Sequence, residues 1–286
     1  MVEKPTNRWI DRRRRAQEDA EALARKFNGS LPTDLGAMAR EQSVREIDFR
    51  PLIVDGGLSL LGDGFLISVR CEENESDDFR TAFEKDSTGR GLPRRARFTI
   101  AHEIAHTFFF DRTSSPPKTL VNYKDRRVLP SLEDACSRTA RQLLIPEFIL
   151  QRDFAEVDFL EPKNLRRLAD EALVSPPGVV VRFASLRRFA MPYSIIVSVE
   201  RSHGGFAIGS VSRHAGFRDI FSNVQRGASI DEVVADRAFV LNGGGKLTST
   251  IEQTVTGKTR RYAVATEDPG AVARGSYFLT ITWKAD

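Results

Sequence analysis

The sequence predicts an α+β fold, and three features carry that expectation. Short apolar runs broken by Gly-Asp and Gly-Gly, FRPLIVDGG, LSLLGD and GFLISVRC, read as strands of a small sheet. Two long stretches with helical spacing follow, RARFTIAHEIAHTFFF and SLEDACSRTARQLLIP. Past Pro192 the chain turns strand-rich again, in YSIIVSVE, GFAIGSVS, LTSTIEQTV, RRYAVAT and SYFLTITW.

Taken in order, residues 9–27 form a helix, with Trp9, Ile10, Ala16, Ala20, Leu23, Ala24 and Phe27 at helical spacing. The run Arg12 to Arg15 on it reads as a solvated face rather than a phosphate contact. A second helix is expected over 32–41, with Thr33 as its N-cap. Residues 72–93 are polar, end in TGRGLP and read as an exposed loop. The helix around HEIAH is apolar apart from the motif, through Phe98, Ile100, Ala101, Ile104, Ala105 and Phe108. The next has Ser131 as its cap, a stripe of Leu132, Cys136, Ala140, Leu143 and Leu144, and Pro146 as its stop. Two short helices are expected at 163–173 and 177–189. One more is expected at SIDEVVADRAF, where Ser229 and Glu232 form a capping box. No internal repeat or low-complexity tract is present. Joints near 150–160 and 190 divide the chain into 1–155, 156–190 and 191–286.

Composition narrows the function classes. Hydrophobic residues make up 41% and charged residues 29%, the balance of a globular chain rather than a disordered one. A net charge of +4 is compatible with a nucleic-acid partner without requiring one. Two cysteines cannot form a disulfide framework in 286 residues, and a reducing cytoplasm fits them. MVEKPTNRWIDRRRR has no apolar core after its charges, so no secretory signal is expected. No run reaches the roughly 18 apolar residues of a bilayer span, so no membrane partner is expected.

The chemistry concentrates in HEIAH. The chain has 4 histidines, and two of them, His102 and His106, stand one helical turn apart with Glu103 between. Positions i and i+4 share a face, so both imidazoles can reach one ion. Zn²⁺ suits the pair, and two histidines with a carboxylate also suit Mn²⁺. Glu103 is rotated off the metal axis and is placed to act on a water as general base. Two histidines and a glutamate on an otherwise apolar helix would cost several kcal/mol unless paired or bound to metal. Downstream candidates for a third ligand are Asp111, Asp125, Glu133, Asp134 and Glu147. Asp111 lies too close along the helix, and Asp125 in YKDRR has cations beside it. Glu133, in the first turn next to the apolar stripe, is better placed than Asp134 if the two helices pack side by side.

RFTIAHEIAH followed by EDACSRTARQLLIP resembles the ImmA/IrrE family of zinc metallopeptidases. The resemblance spans roughly 10–150, and 163–190 more weakly. Glu133, thirteen positions before Pro146, occupies the place of that family's third zinc ligand. Cys136-Ser137 departs from the Ala-Asn or Ala-Asp of many members. The resemblance implies a zincin-like metallopeptidase domain with a small twisted sheet and an active-site helix, a helix-turn-helix-like segment, and an α+β GAF-like C-terminal domain. It implies cleavage of a helix-turn-helix repressor that derepresses stress, DNA-damage or phage-defence genes.

Weaker signals accompany these. NLRRLADEALVSPPGVVVRFASLRRF has helix-turn-helix cadence, with Leu165, Leu168, Ala172, Val180, Phe183 and Leu186 as core. Arg166, Arg167, Arg182, Arg187 and Arg188 are its candidate DNA contacts, against a purely supporting role. Cys71, ending GFLISVRC, is a candidate inhibitory fourth zinc ligand or simply a buried small residue. The basic loop Arg90, Arg94, Arg95, Arg97 is a candidate contact for an acidic substrate segment or activating single-stranded DNA, or else a solubilising loop. His203 and His214 sit in turn-like contexts without an assigned role, and Gly243 to Gly245 lack the ending of a phosphate loop. The rival to the peptidase is a DNA- or partner-binding regulator whose zinc serves structure alone.

Overall fold

The computed structural model describes residues 5–27, 29–121, 128–154, 157, 162–184, 186, 193–200, 206–213, 246–255, 258–267, 271–272 and 275–284. They form an α+β molecule of two compact units, Met1–Ala155 with Glu171–Val174, and Glu156–Asp170 with Ser175–Asp286. No helix among the described residues is long and apolar enough to cross a membrane.

The first unit opens with α1 (Pro5–Lys26) and α2 (Leu35–Glu41), then strands β1 (Val44–Arg50), β2 (Gly56–Leu61) and β3 (Gly64–Arg70). The sheet order is β1-β3-β2, β3 being parallel to β1 and antiparallel to β2. β3 therefore lies in the middle, and Phe65, Ile67 and Val69 are fully buried there. β2 is the edge and keeps Leu60 and Leu61 exposed. Helix α3 (Ser76–Lys85) precedes α4 (Arg94–Thr107), which packs across the sheet on fully buried Ile100, Ala101, Ile104 and Ala105. A short ladder, β4 (Phe110–Asp111) with β5 (Lys118–Thr119), leads to α5 (Leu129–Leu144), which lies against both α4 and α1. Leu132, Ala135 and Cys136 of α5 join Ala105 and Phe109 in one apolar cluster, and Trp9 of α1 stacks on Phe109 at 5.7 Å between ring centroids. Pro146 ends α5, and Glu21 of α1 reaches over to accept from the first amides of α6 (Glu147–Asp153), Glu147 N at 3.2 Å and Phe148 N at 3.0 Å. That carboxylate satisfies helix-start donors for which the N-cap, Pro146, has no side-chain acceptor.

In the second unit, α7 (Pro162–Glu171) and α8 (Pro176–Ala184) accompany an antiparallel sheet. Its strands are β6 (Tyr193–Glu200), β7 (Phe206–Arg213), β8 (Lys246–Val255), β9 (Lys258–Glu267), β10 (Ala271–Val272) and β11 (Gly275–Lys284). The order is β7-β6-β11-β9-β8, with β10 pairing β11, and α8 lies against β6 and β7. The helix expected at 229–239, together with His203, His214, Gly243 to Gly245, and the side chains of Val180, Arg187 and Arg188, lies outside the described residues.

Three local expectations are corrected. The cap of α2 is Asp34, not Thr33: Asp34 Oδ1 accepts from Ala37 N at 2.8 Å and from Ser87 Oγ at 2.7 Å. Residues 72–93 are not a bare loop. They carry a 3₁₀ turn, Glu73–Glu75, and α3, whose Phe79 and Phe83 meet the ring of Phe49 at 5.9 and 6.1 Å. These two aromatic anchors hold a helix whose other residues are polar apart from Ala82. Ser131 does not cap α5: the helix starts at Leu129 with Val128 at the N-cap position and no side-chain cap, so Ser131 lies inside the first turn, where its hydroxyl accepts from Trp9 Nε1 at 2.8 Å.

Candidate metal centre

Because α4 and α5 pack side by side, α4 presents His102, Glu103 and His106 to the first turn of α5, where Glu133 stands. His102 Nε2 lies 3.0 Å from Glu133 Oε2, His106 Nε2 3.6 Å from Glu133 Oε1, and the two Nε2 atoms 3.2 Å apart. The candidate ligand atoms of these three residues all fall within 4.8 Å of one another. Two imidazole nitrogens and a carboxylate thus converge on one point. The hydrogen bonds from the histidines hold the Glu133 carboxyl far below the usual carboxylate range. The Oγ of Ser137 lies 3.4 Å from His102 Nδ1, which leaves Nε2 of that ring to face the cluster.

Glu103 lines the same cleft beside the three converging residues. It is buried, 6% exposed, and burial raises its carboxyl pKa, with His106 and then His102 opposing that shift. Beside it runs β2. A Cβ on Gly56 would stand 2.4 Å from Thr99 Cγ2 and 3.5 Å from Glu103 Oε1, so only glycine lets the edge strand approach this closely. The helix pair and β2 enclose a cleft of about 560 Å³, with Glu103, the three converging residues and Asp55 on its wall and Leu58, Phe98 and Phe110 as apolar surface. Arg141 stacks over the Phe98 ring at 5.4 Å and fixes that side.

Of the other third-ligand candidates, Asp111 accepts from Thr113 N at 3.0 Å and Thr113 Oγ1 at 2.6 Å. Asp134 faces Arg138 at 2.9 Å and Arg13 at 3.5 Å, and Glu147 accepts from Gln151 at 3.3 Å. Asp125 lies outside the described residues. Cys71 is not brought to the cleft. It follows the central strand β3, its N–H donates to Arg50 O at 3.2 Å, and the strand beside the cluster is the edge strand β2. Burial, then Glu75, Asp48 and Glu72, raise its thiol pKa and favour the neutral form, the opposite of what a ligand needs.

The basic loop divides. Arg94 donates to Val174 O at 2.9 Å and is committed inside the fold, while Arg95 pairs with Asp55 at 2.5 Å on the cleft rim. Arg97 is fully buried and Arg90 lies 4.0 Å from Asp86. Arg182 is 5% exposed, which removes it from any DNA-facing surface, and Arg166 lies 3.9 Å from Asp170. On α1, Arg14 lies 3.3 Å from Asp11 and 3.8 Å from Glu18, as on a solvated helix face, while Arg12 donates to Leu120 O and Arg13 lies 3.5 Å from Asp134. Ser137 and the Asp55-Gly56-Gly57 wall were missed from sequence. Ser137 sits one turn beyond Glu133 on the same face, a signal that was present; Asp55-Gly56-Gly57 resembles an ordinary turn.

No family model matches the chain, and no curated protein matches it. Among solved structures, a Mycobacterium tuberculosis transcriptional regulator is similar, with a TM-score of 0.54 and 15% sequence identity over 95% of this chain and 76% of that one. That likeness concerns the fold.

Proposed function

We propose that the chain is a metal-dependent endopeptidase of the ImmA/IrrE kind, built on a zincin-like first unit, with a helix-turn-helix repressor as its substrate. The observation that carries this is the convergence of His102, His106 and Glu133 beside a buried Glu103 in one cleft. Donor chemistry and spacing both suit zinc. Ligands at about 2.0–2.1 Å around a tetrahedral ion stand roughly 3.3–3.4 Å apart, and the separations here are 3.0, 3.2 and 3.6 Å. When bound, zinc supplies Lewis acidity, lowering the pKa of a water and polarising a carbonyl.

The chain's own residues do the rest. Glu103, whose burial makes its carboxylate a stronger base, takes a proton from the attacking water and returns it to the leaving amine nitrogen. Leu58, Phe98 and Phe110 offer apolar surface to the residues of a bound peptide. The open backbone edge of β2 can hold an extended peptide by main-chain hydrogen bonds, with Gly57 leaving its path clear. Zinc-loaded protein is expected to cleave candidate repressors, Glu103→Gln to keep one zinc per chain while losing at least a hundredfold in rate, and His106→Ala to lose both. A Glu103→Gln variant that cuts like the wild type would falsify the general-base role. Mn²⁺ in place of zinc, and single-stranded DNA added at low salt, are the two further arms of that assay.

The second reading, a DNA- or partner-binding regulator with a structural metal, is favoured by the name of the mycobacterial neighbour. Structural zinc sites are closed by four protein ligands, whereas three converge here among the described residues and face a cleft. Specific duplex binding by the full chain, without any Glu103-dependent cleavage, would select it.

A further inference from the structure

The cleft has one acidic side chain that the proposed chemistry does not use. Asp55 stands on its wall at the start of β2, and its carboxylate holds Arg95 Nη2 at 2.5 Å. The main chain pins Asp55 in place, because its carbonyl accepts from Arg70 N at 2.8 Å. Both side chains of this ion pair are open to water, Arg95 at 75% and Asp55 at 50% exposure, so solvent screening leaves the pair weak and exchangeable. Among the described residues of the cleft wall there is no lysine or arginine, so no other cation of the wall offers itself to the Asp55 carboxylate. Arg95 therefore occupies, from the chain itself, the position that a cationic side chain of a bound peptide would take.

The position is close to the reacting bond. Gly56 follows Asp55 directly, and a Cβ on Gly56 would be 3.5 Å from Glu103 Oε1. With 3.8 Å between successive Cα atoms, the Asp55 Cα stands about 9 Å at most from the Glu103 carboxylate. An extended peptide along β2 advances about 3.3–3.4 Å per residue, which puts the side chain facing Asp55 within three residues of the cut. Gly56 and Gly57 add no side chain between the two points.

We propose that Asp55 is a specificity-determining residue: it receives an arginine or lysine side chain of the substrate within three residues of the scissile bond, displacing Arg95. A peptide lying over Asp55 covers it from water and strengthens the new pair over the old one. Arginine, which can bind the carboxylate through two parallel N–H donors, is preferred to lysine. The inference rests on the peptidase reading and names a substrate class for that same cleft.

The test uses the full zinc-loaded chain and a proteome-derived peptide library, with cut sites identified by mass spectrometry. Glu103-dependent cuts are expected to be enriched about tenfold for Arg or Lys within three residues of the bond. For a matched peptide pair differing only in Arg or Gln at that position, Asp55→Asn should bring the ratio of kcat/KM towards one. Asp55→Lys should turn the preference to Glu, and Arg95→Ala should raise kcat/KM for the Arg peptide. A second readout needs no turnover: in a Glu103→Gln background, anisotropy of the labelled Arg peptide should show about tenfold tighter binding than the Gln peptide, lost on adding Asp55→Asn. Glu103-dependent cuts without basic enrichment, or enrichment that survives Asp55→Asn, overturn the role of Asp55 and leave the peptidase standing. Absence of any Glu103-dependent cut from a protein that binds zinc overturns the peptidase reading and this inference with it.

Discussion

Two adjacent glycines of β2 are expected to respond in opposite ways to the same substitution. A Cβ on Gly56 would lie 2.4 Å from Thr99 Cγ2 and 2.8 Å from Ser68 O, whereas one on Gly57 would meet nothing within 4 Å. Optimal carbon contacts fall at about 3.5–4.0 Å, so Gly56→Ala forces β2 away from α4 or turns Thr99 out of place. Neither escape is easy. Thr99 Oγ1 is tied to Arg95 O at 3.0 Å, and Ser68 belongs to the central strand. Overpacking of this kind costs about 1–3 kcal/mol, and the backbone clash places Gly56→Ala in the upper part of that range. At about 2–4 °C per kcal/mol for a chain of this size, the loss in Tm is roughly 4–12 °C. Gly57→Ala should stay within about 0.5 kcal/mol of wild type. Thr99→Ser deletes Cγ2 but not the Ser68 clash, so Gly56→Ala with Thr99→Ser should recover only part of the loss. The chain has 2 tryptophans, and removing Trp283 leaves Trp9, stacked on Phe109, as a fluorescence probe of the first unit in urea and thermal unfolding. A Gly56→Ala protein that melts with the wild type, or a Gly57→Ala protein that suffers equally, would show that β2 does not lie against α4 in this way.

Three further outcomes can be measured alongside. Arg97 is fully buried, its Nε and Nη1 find no partner among the described residues, and its Nη2 donates to Ala172 O at 3.4 Å. Burial lowers its pKa to about 10, so the cost of its charge is present at neutral pH and fades as pH rises through that value. Arg97→Met should stabilise the protein by about 1–3 kcal/mol at pH 7, with a smaller gain above pH 10; a variant less stable than wild type at pH 7 would mean the guanidinium is satisfied after all. Cys71→Ser should leave zinc affinity unchanged in a chelator competition, and a tenfold loss would place the thiol in the site. Ser137→Ala, by freeing His102 Nδ1, should weaken zinc binding by about tenfold, and an unchanged affinity would reduce Ser137 to a bystander.

What could be seen in the sequence was what has a period. The stripes on α1, α4 and α5 and the alternation in β3 fixed those elements, because burying one face demands a regular spacing of apolar residues. The HEIAH spacing belongs to the same class, since two ligands one turn apart need only the helix to be brought together. Elements held by one or two long-range contacts were hidden. Helix α3 rests on Phe79 and Phe83 against Phe49, three aromatics spread over 35 residues, and its polar surface resembles a loop. The caps failed for a related reason. Ser131 has the right chemistry for a helix start, but the helix begins two residues earlier, and its hydroxyl meets Trp9, 122 positions away.

Charge was the least legible property of all, and the run from Arg90 to Arg97 shows why. As sequence it is one basic loop. In the fold, Arg94 is spent on the carbonyl of Val174, Arg95 on the carboxylate of Asp55, and Arg97 is enclosed without full partners. With 3.6 residues per turn, Arg94 and Arg97 share a face of α4 and both donate to carbonyls of the 172–174 stretch, while Arg95 leaves from another face. Arg94 and Arg97 thus meet a segment far along the chain, Arg97 from full burial, and Arg95 points to the cleft rim. Net charge and charge runs report on what a surface can attract only after burial and pairing are subtracted. Here that subtraction leaves Arg95 as the exposed cation at the cleft, already facing an acid. A basic run that reads in sequence as a contact for an acidic segment or single-stranded DNA, or as a solubilising loop, is on the proposed peptidase reading matched at this position to a basic peptide, with Asp55 rather than the arginines as the selecting group.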